Sequence, residues 1–149
     1  MTSPARPAPP AARRRSVSIE HEVPFHDVDL TQRVWHGHYY KYFELARTAL
    51  FRRYGLHDVE LIPKQYQLYV IETRCRYSSP LHYGDRMRVS AWFRETKRRL
   101  AIGYEIENLN HERRAARGFT AIAIVAPSGE LLTQTPPAIA ERIRSADAV

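Results

Sequence analysis

The chain has 149 residues, of which 44% are hydrophobic and 26% are charged, and its formal net charge is +7. This length and composition are those of a single globular domain, and no apolar run approaches the roughly 20 residues that a membrane-spanning helix needs. The four arginines among residues 1–15 carry +4 of the charge, which leaves +3 on the remainder; this is too little for a nucleic-acid-binding surface but suits an anionic small-molecule substrate.

Residues 1–15 form a low-complexity stretch rich in proline, alanine and arginine. Such a stretch has little apolar surface to bury, so we expect a disordered tail here and a single domain over residues 16–149. The tail has arginines but lacks the apolar run of a secretory signal. Cys75 is the only cysteine, which excludes a disulfide within the chain and agrees with a reducing compartment. We therefore expect a cytoplasmic protein.

The first ordered elements are a strand and a long helix. A strand is predicted from Val17 to Phe25, imperfect because Pro24 interrupts its donors. Residues 38–54 predict a helix that ends at Gly55, a typical C-cap residue. Apolar side chains recur there at three- and four-residue spacing and form one face: Tyr39, Tyr42, Phe43, Ala46, Leu50 and Tyr54.

Strand patterns dominate the rest of the chain. Apolar and polar residues alternate over 69–77, 87–93 and 100–107, and residues 119–126 are apolar on both faces, as in a central strand. Leu131 and Leu132 predict a short last strand, and Pro136-Pro137 opens a short C-terminal helix. One helix packed against an antiparallel sheet of about five or six strands is an α+β arrangement.

The chemically dense segment lies just before the helix, where Asp27 and Asp29 stand two residues apart. By themselves both residues are typical of turns and helix caps. However, the segment also resembles a family signature in three parts, which are Asp27-Val28-Asp29, Val34-Trp35-His36-Gly37-His38-Tyr39 and Tyr42-Phe43-Glu44-Leu45-Ala46-Arg47. The resemblance extends to Pro80-Leu81-His82-Tyr83-Gly84-Asp85. These motifs are similar to those of the 4-hydroxybenzoyl-CoA thioesterase family.

The resemblance implies a hotdog fold, in which a curved antiparallel sheet wraps a long helix. It also implies hydrolysis of an acyl-CoA or acyl-carrier-protein thioester without a cofactor, in a homodimer or homotetramer. The family's catalytic carboxylate falls on Asp29, as nucleophile or general base, and its oxyanion-binding backbone N–H falls on His36 or a neighbour. We expect both residues to be catalytic, and five others to contact substrate: Trp35, Gly37, Tyr39, Tyr42 and Phe43.

The sequence departs from the signature at two places. Residues 30–33 stand where the family has one or two glycines, and His38 stands where it has an asparagine. Two alternatives therefore stay open. A hotdog hydratase or dehydratase would use Glu44 on the helix in place of Asp29, and a non-catalytic protein would bind an acyl group without turnover.

Two further clusters have alternative interpretations. The basic residues Arg94, Lys97, Arg98 and Arg99 form either a solvated hairpin or a site for coenzyme A phosphates or an acidic carrier protein. The histidines show no metal-ligand spacing, so no metal site is predicted.

Overall fold

The computed structural model describes residues 15–57 and 66–148, so the predicted tail lies outside them except for Arg15. Five strands and two α-helices follow one another in this part of the chain: β1 (Val17–Glu22), α1 (His38–Arg53), β2 (Gln67–Tyr77), β3 (Arg86–Glu95), β4 (Leu100–Asn108), β5 (Arg113–Val125) and α2 (Pro137–Asp147). Within these ranges, neither helix has the length and apolar character that crossing a membrane requires.

The strands form one antiparallel sheet in the order β1-β3-β4-β5-β2. The strands β3, β4 and β5 follow one another along the chain as hairpins, whereas β1 and β2 take the two edges. Because α1 connects these two edge strands, it crosses the sheet and packs on one face of it. The predicted α+β class, with one long helix on an antiparallel sheet, is confirmed.

The core lies between α1 and the sheet. The predicted apolar face of α1 is buried, and alternate residues of β3 and β4 point toward it, as the two-residue period of a strand requires. Burying one side chain of leucine size stabilises the fold by about 1.5–3 kcal/mol, so this face fixes the helix on the sheet. The buried strand residues are Met87, Val89, Ala91, Leu100, Ile102, Tyr104 and Ile106.

Two strand predictions are wrong, one in where a strand ends and one in whether a strand forms. The first strand ends at Glu22, and Phe25 lies in a 3-10 turn with its side chain exposed, because Pro24 has no N–H for the ladder. Leu131 makes only an isolated bridge to Val125 instead of forming a strand. The predicted C-terminal helix is present, and its Asp147 accepts a hydrogen bond of 2.6 Å from the Tyr54 hydroxyl at the end of α1.

The turn between β2 and β3 holds the segment that precedes α1. The Asp85 carboxylate accepts hydrogen bonds of 2.9 Å from the His82 N–H and the Asn108 amide, which rigidifies the turn. The Leu81 carbonyl then accepts the Val34 N–H at 2.9 Å. The Pro-x-x-x-Gly-Asp motif is therefore a support for the segment that carries the two aspartates.

Candidate functional site

A short antiparallel hairpin, residues 27–35, carries both aspartates. Val28 and Val34 form its bridge. The Asp29 N–H donates to the Arg33 carbonyl at 2.9 Å, and the Trp35 N–H donates to the Asp27 carbonyl at 3.0 Å. The hairpin therefore holds the aspartates on one strand opposite the residues that lead into α1.

The tip of this hairpin explains how the chain folds without the expected glycine. Gln32 has a φ of 65°, in the left-handed region that normally favours glycine. For a residue with a side chain this conformation costs about 1–2 kcal/mol. The left-handed backbone conformation that a glycine would adopt easily is therefore present in this loop at Gln32.

Asp27 is buried and fully engaged. Its Oδ1 accepts a hydrogen bond of 2.5 Å from Lys41 Nζ, and its Oδ2 accepts one of 2.6 Å from the Tyr42 hydroxyl, both on α1. Burial raises the pKa of this carboxyl, but the hydrogen bonds from Lys41 and Tyr42 outweigh it, and the net pKa is lowered. Asp27 is therefore an ionised brace between the 3-10 turn and the first turns of α1.

Asp29 is exposed and only half engaged. Its Oδ1 accepts hydrogen bonds from the Thr31 hydroxyl at 2.5 Å and the Thr31 N–H at 2.8 Å. Both of these bonds end on Oδ1, and the Arg33 backbone N–H and guanidinium act on the carboxylate more weakly. The two bonds from Thr31 lower the pKa of Asp29, so the side chain presents an ionised oxygen atom to solvent.

The start of α1 offers two backbone donors. The Trp35 N–H is taken by Asp27, and the His38 N–H donates to the Trp35 carbonyl at 2.9 Å. Between them, the N–H groups of His36 and Gly37 have no acceptor among the described residues. Free N–H groups at the positive end of a helix stabilise a developing oxyanion.

Trp35 and Tyr77 form the walls around these donors. The Trp35 side chain is 47% exposed, and its ring folds over Gly37 so closely that a Cβ there would lie 2.2 Å from a ring carbon. The Tyr77 hydroxyl donates to the His36 carbonyl at 2.6 Å. Gly37 is therefore the residue that lets Trp35 cover the helix start, and β2 holds that start from the other side.

The three remaining residues predicted to contact substrate are buried. Tyr42 bonds Asp27, Phe43 stacks on Tyr104 with ring centroids 4.6 Å apart, and Tyr39 makes an edge-to-face contact of 4.7 Å with Tyr77. Tyr39 is thus the one that contacts the wall of the site.

Two residues at the site, Lys41 and Tyr77, were not predicted from the sequence. Lys41 stands one helical turn after Gly37, so its position on the same helix was a usable signal for an ion pair with an aspartate before the helix. Tyr77 lies 41 residues from His36 along the chain. Tyr77 and His36 come together only because β2 packs beside the helix start.

Comparison with known families gives a match over most of the chain. The model of the thioesterase-like superfamily matches residues 23–143. YneP of Bacillus subtilis, named as a candidate acyl-CoA thioesterase, is 30% identical over 90 residues. That alignment covers 60% of this chain and 65% of YneP, which is less than two thirds of that relative's length.

Solved structures share the fold. The DHNA-CoA thioesterase of Staphylococcus aureus superposes with a TM-score of 0.77 at 20% identity, over 89% of this chain and 91% of that chain. A mutant of 4-hydroxybenzoyl-CoA thioesterase in complex with 4-hydroxybenzoyl-CoA gives a TM-score of 0.73 at 14% identity, over 87% and 99% of the two chains. These likenesses confirm the hotdog arrangement that the sequence motifs predicted.

Proposed function

Since the chain belongs to the thioesterase-like superfamily, we propose that it hydrolyses an acyl-CoA thioester to a carboxylic acid and a free thiol. The observation that carries this proposal is the pairing of an ionised, exposed carboxylate in the hairpin with two unengaged N–H groups at the helix start that follows it. Asp29 supplies the first and the helix start at His36 and Gly37 supplies the second. Acyl transfer needs both an activated oxygen and an oxyanion site.

The reaction follows from these two groups. Asp29 either removes a proton from water, whose oxygen adds to the thioester carbon, or adds to that carbon itself and is then released by water. In both routes the carbonyl oxygen becomes an oxyanion that the N–H groups of His36 and Gly37 stabilise. Collapse of the tetrahedral species breaks the C–S bond, and the departing thiolate takes up a proton. Net, water is consumed and no electrons are transferred.

Trp35 and Tyr39 are proposed to bind the acyl group. Trp35 is exposed over the helix start, and Tyr39 stands edge-on to Tyr77 behind it. Aromatic walls favour planar or apolar acyl chains over charged ones. The two other aromatic residues predicted to contact substrate, Tyr42 and Phe43, are buried beneath this wall and support it from the core.

The test measures free thiol released from short, long and aryl acyl-CoA esters by wild type, Asp29→Asn and Glu44→Gln. We expect Asp29→Asn to reduce kcat/KM by about 100-fold or more, as for loss of a base or nucleophile. Glu44, which is exposed on α1, is expected to be dispensable. Thiol release that survives Asp29→Asn but fails in Glu44→Gln would overturn the assignment of Asp29 in favour of Glu44. The hydratase alternative predicts instead that an enoyl-CoA is hydrated without release of thiol.

We also propose that the functional unit is a dimer formed through β2. Within residues 15–57 and 66–148 this strand pairs with β5 alone, so the backbone groups on its outer side are available to pair with another chain. The side chains of Tyr69, Val70 and Ile71 are each more than half exposed on it. A second copy of β2 would satisfy the edge in a two-fold symmetric contact. Tyr77 belongs to the same strand and contacts His36. The interface between the two copies would therefore adjoin the site.

A further inference from the structure

The peptide that joins His36 to Gly37 is engaged at one end and open at the other. Its carbonyl, which belongs to His36, accepts a hydrogen bond of 2.6 Å from the Tyr77 hydroxyl. Its N–H, which belongs to Gly37, has no acceptor among the described residues. The carbonyl and the N–H of a trans peptide point in opposite directions. By binding the carbonyl, the Tyr77 hydroxyl therefore directs the Gly37 N–H away from itself.

The preceding peptide has the same arrangement, made with backbone atoms alone. The Trp35 carbonyl accepts the His38 N–H at 2.9 Å, and the N–H at the other end of that peptide belongs to His36. Both candidate oxyanion donors thus belong to peptides whose carbonyl is hydrogen-bonded. Such a bond polarises the peptide and makes its N–H a stronger donor. The Gly37 donor differs from the His36 donor in that a side chain of another element supports it.

Tyr77 is fixed where its hydroxyl can make this contact. It is the last residue of β2, and the N–H groups of Ser78 and Ser79 that follow both donate to the Ala115 carbonyl, at 2.8 Å and 3.2 Å. Its ring stands edge-on to the buried ring of Tyr39, with centroids 4.7 Å apart. The end of β2 and the first turn of α1 therefore hold the ring between them, and the hydroxyl is in place before a substrate arrives.

The Tyr77 hydroxyl also keeps its proton. Partial burial raises the pKa of Tyr77, and the neighbouring Cys75 side chain raises it further. A tyrosine with a raised pKa is neutral throughout the range in which a carboxylate such as Asp29 is ionised. The hydroxyl therefore donates to the His36 carbonyl under the same conditions in which Asp29 is available for chemistry.

We propose that Tyr77 is a positioning residue, whose hydroxyl orients and polarises the His36–Gly37 peptide so that the Gly37 N–H serves as an oxyanion donor. This role rests on the proposed function, because the oxyanion is that of the thioester under hydrolysis. Tyr77 acts through the peptide and not by contact with the reacting atoms. A donor that is oriented in advance stabilises the transition state more than the bound ester, so the hydroxyl should contribute to kcat and not to KM.

The sequence allows this one peptide to be observed directly. Histidine is followed by glycine only at His36–Gly37, so protein labelled with carbonyl-¹³C histidine and ¹⁵N glycine gives one correlated carbonyl–amide signal by NMR. Tyr77→Phe keeps the ring and removes the hydroxyl. We expect it to move both nuclei to higher field, because a hydrogen bond deshields the carbonyl carbon and the amide nitrogen bonded to it.

The matched control for this variant is Tyr54→Phe. The Tyr54 hydroxyl makes a bond of the same length, 2.6 Å, to Asp147 at the other end of α1. Its loss should leave the His36–Gly37 signal in place. A signal that Tyr77→Phe does not move, or that both variants move alike, overturns the proposal.

The donor role is measured on the same signal. Acetyl-, lauroyl- and benzoyl-CoA are titrated into labelled Asp29→Asn, which should bind an ester without hydrolysing it. We expect the Gly37 amide proton to move to lower field as it bonds the thioester carbonyl, and to move less when Tyr77→Phe is added. An amide proton that none of the esters moves would show that Gly37 is not the donor and would overturn the proposal.

The kinetic test separates positioning from structural support. We expect Tyr77→Phe to lower kcat by about tenfold and to keep KM within about twofold of wild type, the pattern of an interaction made only in the transition state. Tyr54→Phe should keep both constants even if it lowers the urea midpoint of unfolding as much as Tyr77→Phe does. A kcat that falls equally in both variants, or a change in KM alone, would overturn the positioning role.

The positioning role and the proposed function fail in different ways. If Asp29→Asn abolishes thiol release but Tyr77→Phe keeps the wild-type kcat, the hydrolysis stands and the positioning role is overturned. If wild type releases no thiol from any of the three esters, the hydrolysis is overturned. The positioning of the Gly37 N–H is then still supported where an ester moves its proton signal and Tyr77→Phe reduces that movement.

Discussion

Asp27 and Asp29 show how two identical side chains, two residues apart, acquire opposite roles. Asp27 lies in the 3-10 turn and points into the protein, where Lys41 and Tyr42 occupy both of its oxygens. Asp29 lies in the hairpin beyond that turn, is exposed, and accepts its two short side-chain bonds from its neighbour Thr31. Burial and hydrogen bonding, not residue type, thus separate a structural carboxylate from one that is available for chemistry.

The Thr31 hydroxyl sets the acid limit of the proposed activity. Thr31 lowers the pKa of Asp29, and the proposed reaction needs the ionised form, so activity is present above that pKa and lost as pH falls through it. Thr31→Val removes the hydroxyl bond and raises the pKa. We therefore expect the acid limb of the kcat/KM profile to move to higher pH.

The measurement is thiol release across the acid range, with Thr133→Val, an exposed threonine outside the hairpin, as the matched control. The control should keep the wild-type limb. A Thr31→Val limb that stays in place, or moves to lower pH, would show that the group titrating there is not Asp29.

At the scale of elements, the sequence predicted the helix and the strands whose apolar residues recur with a regular period. The helix over 38–54 and the alternating strands are confirmed, because their apolar residues follow the period of the structure that buries them. The C-terminal end of β1 was mispredicted because Pro24 stops the ladder, and the strand at Leu131 was mispredicted because this residue makes only an isolated bridge. Such endings depend on backbone partners elsewhere in the chain, which a local pattern does not contain.

Asp27 joins two of these elements, so its removal should weaken the fold. Asp27→Asn loses the charge that Lys41 and Tyr42 bind, and we expect it to lower the free energy of unfolding by about 2 kcal/mol. Asp29→Asn, at an exposed site, should change it by no more than about 0.5 kcal/mol. Urea denaturation at neutral pH compares the two variants with wild type.

The pH dependence of this stability difference shows whether the charge of Asp27 causes it. Because the pKa of Asp27 is lowered below its usual 3.8 in the folded protein, its contribution is present above the unfolded-state value and is lost as pH falls through the folded-state value. The difference in stability between wild type and Asp27→Asn should therefore shrink in acid. A difference that keeps its full size there would point to packing instead of charge.

At the scale of the whole molecule, the local motif predicted the loop and the helix start but not what surrounds them. Asp29, Trp35, His36 and Gly37 are close in sequence, so the predicted turn segment and the start of the helix after it hold all four. Tyr77 lies in β2, 41 residues from His36 along the chain. Its position depends on the strand order and register, which no single stretch of sequence determines.

The outer edge of β2, which pairs with no other strand among the described residues, gives the prediction for assembly. Ile71 is 58% exposed on that edge, at the point where the register with β5 shifts. A charge there should not disturb the core, but it would be buried without a partner if two copies pair.

We expect wild type to be dimeric or larger by light scattering, and Ile71→Asp to shift it toward the monomer. The unfolding midpoint of this variant is measured alongside. The matched control is Leu131→Asp, because Leu131 is 60% exposed away from the edge and should leave the mass unchanged. A monomeric wild type, or a mass that Ile71→Asp leaves intact, would contradict pairing through β2. If assembly and thiol release are lost together while the monomer stays folded, the site needs its second copy, as the contact between Tyr77 and His36 leads us to expect.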